Sequence, residues 1–335
     1  MENNEKWLTI FDCARKILDL KPWKKFNDID FFELRPYKKE RIYISFLGKG
    51  KQVYGVVFYR GDEIVGVDEM SNLEYIPTIQ RLRYQKCIVC YFDKIEALTE
   101  DEVKVIDDLG INVKDKTKHP HFRVYNPKYL PYMIEGNELD FLFEIFPILI
   151  EALDRFYSRN LKPLFHLFEV PVFSQTKQGN WTLGIKSLNI PSYPMKIADP
   201  TLLNINNLKS KKQLDYIIEL DISYTNEVIK GADNRPLHAR LALIANAQSG
   251  EMLSYKVVDP EEDNVQVYVN EFIKFINNFG LPQLCVVRDS EAYFALLHIA
   301  YLLGVNMSRS EELIAIDDFI ESMQEFKNKP FTKLS

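Results

Sequence analysis

The chain has 335 residues, 46% of them hydrophobic and 27% charged, with 42 Lys and Arg against 48 Asp and Glu. This length exceeds that of a typical single domain and predicts two domains, while the ordinary apolar fraction excludes wholesale disorder. The net charge of −6 argues against a protein built to coat nucleic acid or an anionic membrane.

The first 160 residues mix helical and strand-like patterns. Apolar residues at helical spacing predict a helix over 5–20, and a capping box of Thr99 and Glu102 predicts the start of another. A long apolar helix is predicted over 137–159. Strands are predicted at 31–34, 41–46, 52–59, 86–92 and 122–125. Because these elements do not alternate regularly, we predict an α+β domain over residues 1–160.

Residues 161–211 have a different character. Two strand-like runs, 164–176 and 180–187, flank Lys177-Gln178-Gly179, which is typical of a β-hairpin turn. Several prolines and a polar stretch over 204–212 follow. We therefore predict a connector over 161–211 that consists of a hairpin and loops.

The pattern from Leu214 onward is more regular. Three strand-like runs come first, at 216–224, 237–245 and 252–258. Helices predicted at 264–279, 291–303 and 311–326 then alternate with short strands at 284–288 and 305–307. The resulting order is β-β-β-α-β-α-β-α. An antiparallel start followed by two right-handed crossovers is the ribonuclease H order, so we predict an α/β ribonuclease H-like domain over 212–330.

Two aspartates are expected to lie side by side in this sheet. Asp221 interrupts a buried strand, and Asp289 directly follows the strand over 284–288, at the end where α/β folds place ligands. Two adjacent carboxylates repel each other unless they share a proton, contact an arginine or bind a divalent cation. Their oxygens suit Mg²⁺ or Mn²⁺, and such ions support phosphoryl transfer. Asp221 and Asp289 are therefore candidate metal ligands.

The stretch 215–326 resembles the ribonuclease H-like core of integrases and transposases. That core carries an Asp on its first strand, an Asp after its fourth strand and an acidic residue on a late helix, and Asp221 and Asp289 match the first two. The third position stays open among Glu311, Glu312, Asp317, Asp318, Glu321 and Glu325. Glu325 follows Asp289 by 36 positions, close to the integrase spacing, and Glu321 lies one turn earlier. The resemblance implies Asp221, Asp289 and Glu321 or Glu325 as catalytic residues.

The whole chain also resembles an uncharacterised bacterial family that pairs an N-terminal with a C-terminal domain of unknown function. Besides the strand with Asp221, the phrases that carry this resemblance are Leu20-Lys21-Pro22-Trp23, Val53-Tyr54-Gly55-Val56, Gln85-Lys86-Cys87 and Val287-Arg288-Asp289-Ser290-Glu291. This resemblance implies two domains but no particular activity.

The distribution of charge weighs against action on nucleic acid. Residues 212–330 hold 10 Lys and Arg against 19 Asp and Glu, a net charge of −9, whereas the remaining residues have a net charge of +3. A phosphate backbone would be repelled by the domain that carries the candidate site. In addition, Asn246 stands where integrases usually carry an Asp at the turn of the second strand.

Structural roles are the alternative for the same acidic residues. Asp221 can pair with Arg288 or Arg240, and Asp289 can begin the following helix as its N-cap. The acids of the last helix can form a solvated face.

Two further motifs have simple explanations. Cys87 and Cys90 have half of a zinc-site spacing that His119 and His121 could complete, but residues three apart on a strand point to opposite faces. We therefore interpret these cysteines as small buried hydrophobes. The basic and aromatic residues of Arg81-Leu82-Arg83-Tyr84 could stack on bases or on a partner. At near-zero domain charge, such a segment more often consists of surface cations beside a core aromatic residue, and we predict this arrangement.

These observations leave two functional hypotheses. The first is a non-catalytic binding module that contains a ribonuclease H-like domain and recognises a protein rather than nucleic acid. The alternative is a divalent-metal-dependent nuclease or phosphoryl-transfer enzyme, with Mg²⁺ or Mn²⁺ as its cofactor. Because the N-terminus lacks a signal-peptide pattern and Glu144, Pro147 and Glu151 interrupt the most apolar run, we expect a cytoplasmic protein without a membrane segment.

Overall fold

The computed structural model describes residues 2–71, 74–111, 118–192, 196, 199 and 203–328. The chain divides into two compact units, each of which combines segments that are distant in sequence. The first unit is drawn from Met1–Asp68, Gln85–Asn126 and Pro131–Ser192, and the second from Glu69–Tyr84, Pro127–Leu130 and Tyr193–Ser335. The domain boundaries predicted from the sequence stay predictions.

One mixed sheet forms the centre of the first unit. Its strands are β1 (Phe31–Arg35), β2 (Ile42–Leu47), β3 (Gly55–Arg60), β4 (Cys87–Asp93), β5 (His119–Tyr125), β6 (Tyr132–Met133), β7 (Glu169–Gln175) and β8 (Trp181–Ser187). Among the described residues they form eight strands in the order β6-β5-β4-β3-β2-β1-β7-β8, and only the pair β1 and β7 is parallel. The predicted hairpin is confirmed and consists of β7 and β8. Because β7 also pairs with β1, the hairpin is part of this sheet.

Helices complete this part of the chain: α1 (Glu2–Leu20), α2 (Val65–Ser71), α3 (Glu100–Asp108) and α4 (Gly136–Ser158). The predicted capping box is confirmed, because the Thr99 hydroxyl accepts from the Glu102 amide and the Glu102 carboxylate accepts from the Thr99 amide. Buried residues of α1, of α4 and of the sheet form one apolar core. This arrangement agrees with the predicted mixture of helices and strands. No helix in the described ranges combines the length and the apolar character needed to cross a membrane.

The two neighbouring cysteines lie on β4, in agreement with the strand pattern. Cys90 is fully buried in the apolar core, whereas Cys87 is half-buried. The two residues therefore differ in their surroundings as residues on opposite faces of a strand do.

The second unit is also built on a mixed sheet. Its strands are β9 (Ile217–Lys230), β10 (Pro236–Asn246), β11 (Met252–Val258), β12 (Leu284–Val287) and β13 (Asn306–Arg309). In the part that the structure describes, five strands lie in the order β11-β10-β9-β12-β13. β9, β10 and β11 are antiparallel, whereas β12 pairs in parallel with β9 and with β13.

Four α-helices accompany these strands among the described residues: α5 (Ile205–Lys209), α6 (Asn264–Asn278), α7 (Ser290–Leu303) and α8 (Ile314–Asn328). From β9 to α8 the order is β-β-β-α-β-α-β-α, which confirms the order predicted from the sequence. α8 begins at Ile314 rather than at Glu311. The Glu311 carbonyl accepts a hydrogen bond from Arg288, and the Leu313 amide donates to Asp317, so these two residues have partners outside a helical turn.

The helices lie on both faces of this sheet. Ile218, Leu220 and Ile222 of β9 are buried in one apolar cluster with residues of α6 and α7. A second cluster joins β10 to α8, through Leu243, Ala245, Leu313, Ile316 and Ile320. Side chains alternate between the two faces of a strand. Since Leu220 and Ile222 face α6 and α7, Asp221 between them is directed to the face that α8 covers.

Candidate carboxylate site

The sheet brings the two predicted aspartates together. Asp221 lies on β9, and Asp289 follows β12, which pairs with β9 so that Val287 lies opposite Leu220. The Asp221 side chain is 0% exposed and the Asp289 side chain 8%. Both carboxylates contact the same guanidinium nitrogen, Nη1 of Arg83. The predicted proximity of the two aspartates is therefore present in the structure.

Arg83 occupies the space between these carboxylates. Its Nη1 lies 2.7 Å from Asp221 Oδ1 and 2.8 Å from Asp289 Oδ2, and its Nη2 lies 3.0 Å from Asp221 Oδ2. Asp221 thus receives a two-pronged arginine contact, which is among the strongest charge-assisted hydrogen-bond arrangements in proteins. Nη2 also donates to the Ile222 carbonyl. The guanidinium group is in this way shared between two carboxylates and the backbone of β9.

A short 3₁₀ helix, Thr78–Tyr84, holds Arg83 in this position. The Gln80 amide pairs with the backbone of Tyr224, donating from Nε2 to the carbonyl and accepting at Oε1 from the amide, both at 2.9 Å. Gln80 Oε1 also accepts from Arg83 Nη2 at 2.7 Å. Gln80 therefore fixes the 3₁₀ helix to β9 and orients the guanidinium group at the same time.

A second arginine completes the charge balance. The Arg288 side chain is fully buried, and its Nε lies 3.4 Å from Asp221 Oδ2. Its Nη2 lies 2.5 Å from Asp317 Oδ1, while its Nη1 donates to the Glu311 carbonyl. The pairing of Asp221 with Arg288 that the sequence offered as a structural alternative is confirmed. Arg240, the other arginine considered, instead contacts Asn264 and the carbonyls of Asp259 and Pro260.

Asp289 also caps a helix. Its Oδ1 accepts a hydrogen bond of 2.8 Å from the Ala292 amide at the start of α7, which confirms the predicted N-cap. The carboxylate therefore uses one oxygen for the helix and the other for Arg83. Ser290, the next residue, donates from its hydroxyl to Glu69 at 2.6 Å.

The electrostatics of the site follow from these contacts. Burial alone would raise the pKa of the Asp221 carboxyl, but the guanidinium groups of Arg83 and Arg288 outweigh it and lower that pKa well below its usual range. Burial likewise opposes the charge of Arg83, yet Asp221 and Asp289 raise its pKa above the usual value. Asp221 and Arg83 are therefore both charged at neutral pH, and each compensates the charge of the other inside the protein.

The late-helix acids lie in a different environment. Glu321 and Glu325 of α8 are both exposed. The acid of α8 that is linked to the site is Asp317, and its link is indirect, since it contacts Arg288 rather than either aspartate. Across the described ranges, no three His, Cys, Asp or Glu side chains are grouped so that they could hold a metal ion.

The donors present do not fit a divalent cation well in this arrangement. A cation bridging Asp221 and Asp289 would need the oxygens that Arg83 already contacts, and it would add positive charge beside the buried guanidinium groups of Arg83 and Arg288. The site fits a guanidinium group better, because each carboxylate oxygen that faces it has an N–H partner. The assignment of Asp221 and Asp289 as metal ligands stays a prediction.

Arg83 and Gln80 are the residues of this site that the sequence did not suggest. The prediction of a surface cation is correct for Arg81, which is exposed, and wrong for Arg83, whose side chain is 7% exposed. The alternation of Arg and aromatic residues around Arg83 was a visible signal, but it did not show which arginine turns inward.

Comparisons with solved structures find partial likenesses of low identity. The catalytic core domain of BIV integrase is 14% identical, covering 36% of this chain and 76% of that chain, with a TM-score of 0.25. A chain of the simian T-cell lymphotropic virus intasome in complex with the PP2A regulatory subunit B56 gamma is 13% identical. The match covers 37% of this chain and 46% of that chain, with a TM-score of 0.25. The HTLV-2 integrase catalytic core domain in complex with magnesium is 12% identical. The match covers 36% of this chain and 81% of that chain, with a TM-score of 0.24.

Family models match two separate parts of the sequence. No curated protein matches the chain. Residues 7–167 match the family described as "Domain of unknown function (DUF7309)". Residues 204–324 match the family described as "Domain of unknown function (DUF6930)". The chain is therefore similar to two domain families of unknown function, one in each half, as the resemblance noted from the sequence implied.

Proposed function

We propose that this chain is a non-catalytic binding protein and that its ribonuclease H-like unit recognises a protein partner. The observation that supports this proposal most strongly is the position of Arg83, whose Nη1 lies within 2.8 Å of both Asp221 and Asp289. A guanidinium group in this place supplies the positive charge that two adjacent carboxylates require. The acidic pair then stabilises the fold instead of binding a catalytic cation.

The charge of residues 212–330, which form the larger part of the second unit, supports a protein over a nucleic acid as partner. Residues 212–330 carry a net charge of −9, from 10 basic and 19 acidic residues. Nucleic-acid binding draws most of its affinity from phosphate contacts with Lys and Arg, so a surface of this charge repels such a ligand. A protein partner with basic or apolar side chains meets no such repulsion.

One observation favours the alternative of a metal-dependent nuclease or phosphoryl-transfer enzyme. Asp221 and Asp289 converge on a single atom, as two ligands of one cation would. For that activity Arg83 would have to leave the site, and a third acidic residue such as Glu321 or Glu325 would have to approach it.

A nuclease assay with matched variants distinguishes the two hypotheses. The wild type, Asp221→Asn, Arg83→Gln and the control Arg81→Gln are incubated with single- and double-stranded DNA and RNA in the presence of Mg²⁺ or Mn²⁺. Arg81→Gln removes the same charge from the same 3₁₀ helix, but at an exposed position. We expect no metal-dependent cleavage by any of the four proteins. Cleavage by the wild type that Asp221→Asn abolishes would overturn the proposal.

A further inference from the structure

A groove in the second unit runs beside the carboxylate site and shares Gln80 and Asp317 with it. It has a volume of about 570 Å³ and is bordered by the 3₁₀ helix Thr78–Tyr84 and by α8. This volume falls within the range of roughly 300–1,000 Å³ that ligand pockets usually have. The groove is therefore large enough for a short segment of another molecule.

The lining combines apolar and acidic side chains with further polar ones, among them Asn226 and His238. Its apolar residues are Pro77, Ile79, Leu82 and Ile320, and its two carboxylates are Asp317 and Glu321. Neither Lys nor Arg is among the described residues that line it. A pocket of this kind accepts an aliphatic chain along its walls and a cation at its acidic end.

The two carboxylates of the groove are not equivalent. Asp317 already contacts Arg288 and the Leu313 amide. Glu321 is exposed and, within the described ranges, makes no hydrogen bond or ion pair with another side chain. Glu321 is therefore the carboxylate that remains available to a ligand.

We infer that this groove binds an arginine or lysine side chain of the protein partner. The inference rests on the proposed function, in which the second unit recognises a protein. An aliphatic stem would pack on Ile79, Leu82 and Ile320, and the cationic head would reach Glu321. The net charge of −9 over residues 212–330 favours the approach of a basic segment. A neutral ligand would use the apolar walls and leave Glu321 without a role.

Peptide binding to the full chain tests this inference. The probe is an acetylated and amidated pentapeptide of alternating leucine and arginine, labelled for fluorescence anisotropy, and its control is the same peptide with glutamine in place of arginine. We expect the arginine peptide to bind about tenfold more tightly than the glutamine peptide, and Glu321→Gln to weaken its binding by about fivefold to tenfold.

Two further variants control for charge and for access. Asp318→Asn removes the same charge from the same helix at an exposed position that does not line the groove. We expect this variant to bind the peptide like the wild type. Thr78→Arg places a cation at the exposed edge of the groove, and we expect it to weaken binding as much as Glu321→Gln does.

Three results would overturn the inference. Equal weakening by Glu321→Gln and Asp318→Asn would show a diffuse attraction to an acidic surface, and equal binding of both peptides would show an apolar site without cation selectivity. No binding of the arginine peptide would also overturn it. In each case the nuclease assay still reports separately on the proposed non-catalytic function.

Discussion

The two units bury a strand carboxylate in different ways. Glu33 on β1 of the first unit and Asp221 on β9 of the second are both 0% exposed, and each contacts two arginines. The partners of Glu33, Arg35 and Arg41, keep 24% and 41% of their side-chain surface exposed. The partners of Asp221 are Arg83 and Arg288, which are 7% and 0% exposed.

This difference shows what each acid does for its unit. Water can solvate Arg35 and Arg41 if Glu33 is neutralised, because both side chains reach the surface. Arg83 and Arg288 have no such access, so neutralising Asp221 leaves each of these buried guanidinium groups with one carboxylate, Asp289 or Asp317, and without the charge of Asp221 between them. The comparison therefore predicts that the same chemical change has a much larger effect in the second unit than in the first.

The largest expected effect is that of Asp221→Asn. Removing one partner of a buried ion pair typically destabilises a protein by about 3–5 kcal/mol, and the new amide would also direct N–H groups at Arg83. Urea unfolding followed by hydrogen exchange of peptides from β9 measures the change in the second unit. A loss below about 1 kcal/mol, the size of a surface ion pair, would show that the carboxylate is not needed to compensate the arginines.

The pH dependence of that effect has a defined sign. The folded-state pKa of Asp221 is lowered, so the stabilisation from its charge is complete above its unfolded-state pKa near 4 and is lost as the pH falls below it. The difference in unfolding free energy between the wild type and Asp221→Asn should therefore shrink between pH 5 and pH 3. A difference that grows over this range would contradict the ion-pair assignment.

Glu33→Gln should have an intermediate effect. It removes charge-assisted hydrogen bonds from Arg35 but leaves both arginines in contact with water, so we expect a loss of about 1.5–3 kcal/mol. All three tryptophans, Trp7, Trp23 and Trp181, belong to the first unit, so tryptophan fluorescence follows its unfolding. A loss as large as that of Asp221→Asn would remove the contrast between the units.

The smallest effect is expected at a surface pair on α4. Arg155 and Glu151 lie one turn apart and 2.5 Å from each other, with 38% and 47% of their side chains exposed. Exposed pairs at this spacing contribute about 0.3–0.5 kcal/mol, so Glu151→Gln should leave the fluorescence transition nearly unchanged. A shift comparable to that of Glu33→Gln would show that exposure does not govern these energies.

Local patterns in the sequence predicted most of the elements of the fold. The Thr99 and Glu102 capping box and the Asp289 N-cap each depend on residues three apart, and the order from β9 to α8 follows from hydrophobic periodicity and turns. Contacts of this range can be derived from the sequence because secondary structure alone fixes them.

The partner of Asp221 could not be derived in this way. Arg83 is 138 residues away in sequence and lies on a short 3₁₀ helix that lacks the periodicity of an α-helix. The choice among the late acids also depended on a tertiary contact. Arg288 contacts the Glu311 carbonyl and Asp317, α8 begins at Ile314, and Glu321 and Glu325 on this helix are exposed.

We propose that Arg83, rather than a divalent cation, balances the charges of Asp221 and Asp289. Thermal unfolding of the full chain by circular dichroism, with and without Mn²⁺, tests it for the wild type and Asp221→Asn. We predict that Mn²⁺ leaves the wild-type transition unchanged and that Asp221→Asn lowers the transition of the second unit whether or not Mn²⁺ is present. A ligand that binds the folded state raises its unfolding temperature. A rise with Mn²⁺ in the wild type that is absent in Asp221→Asn would contradict the claim.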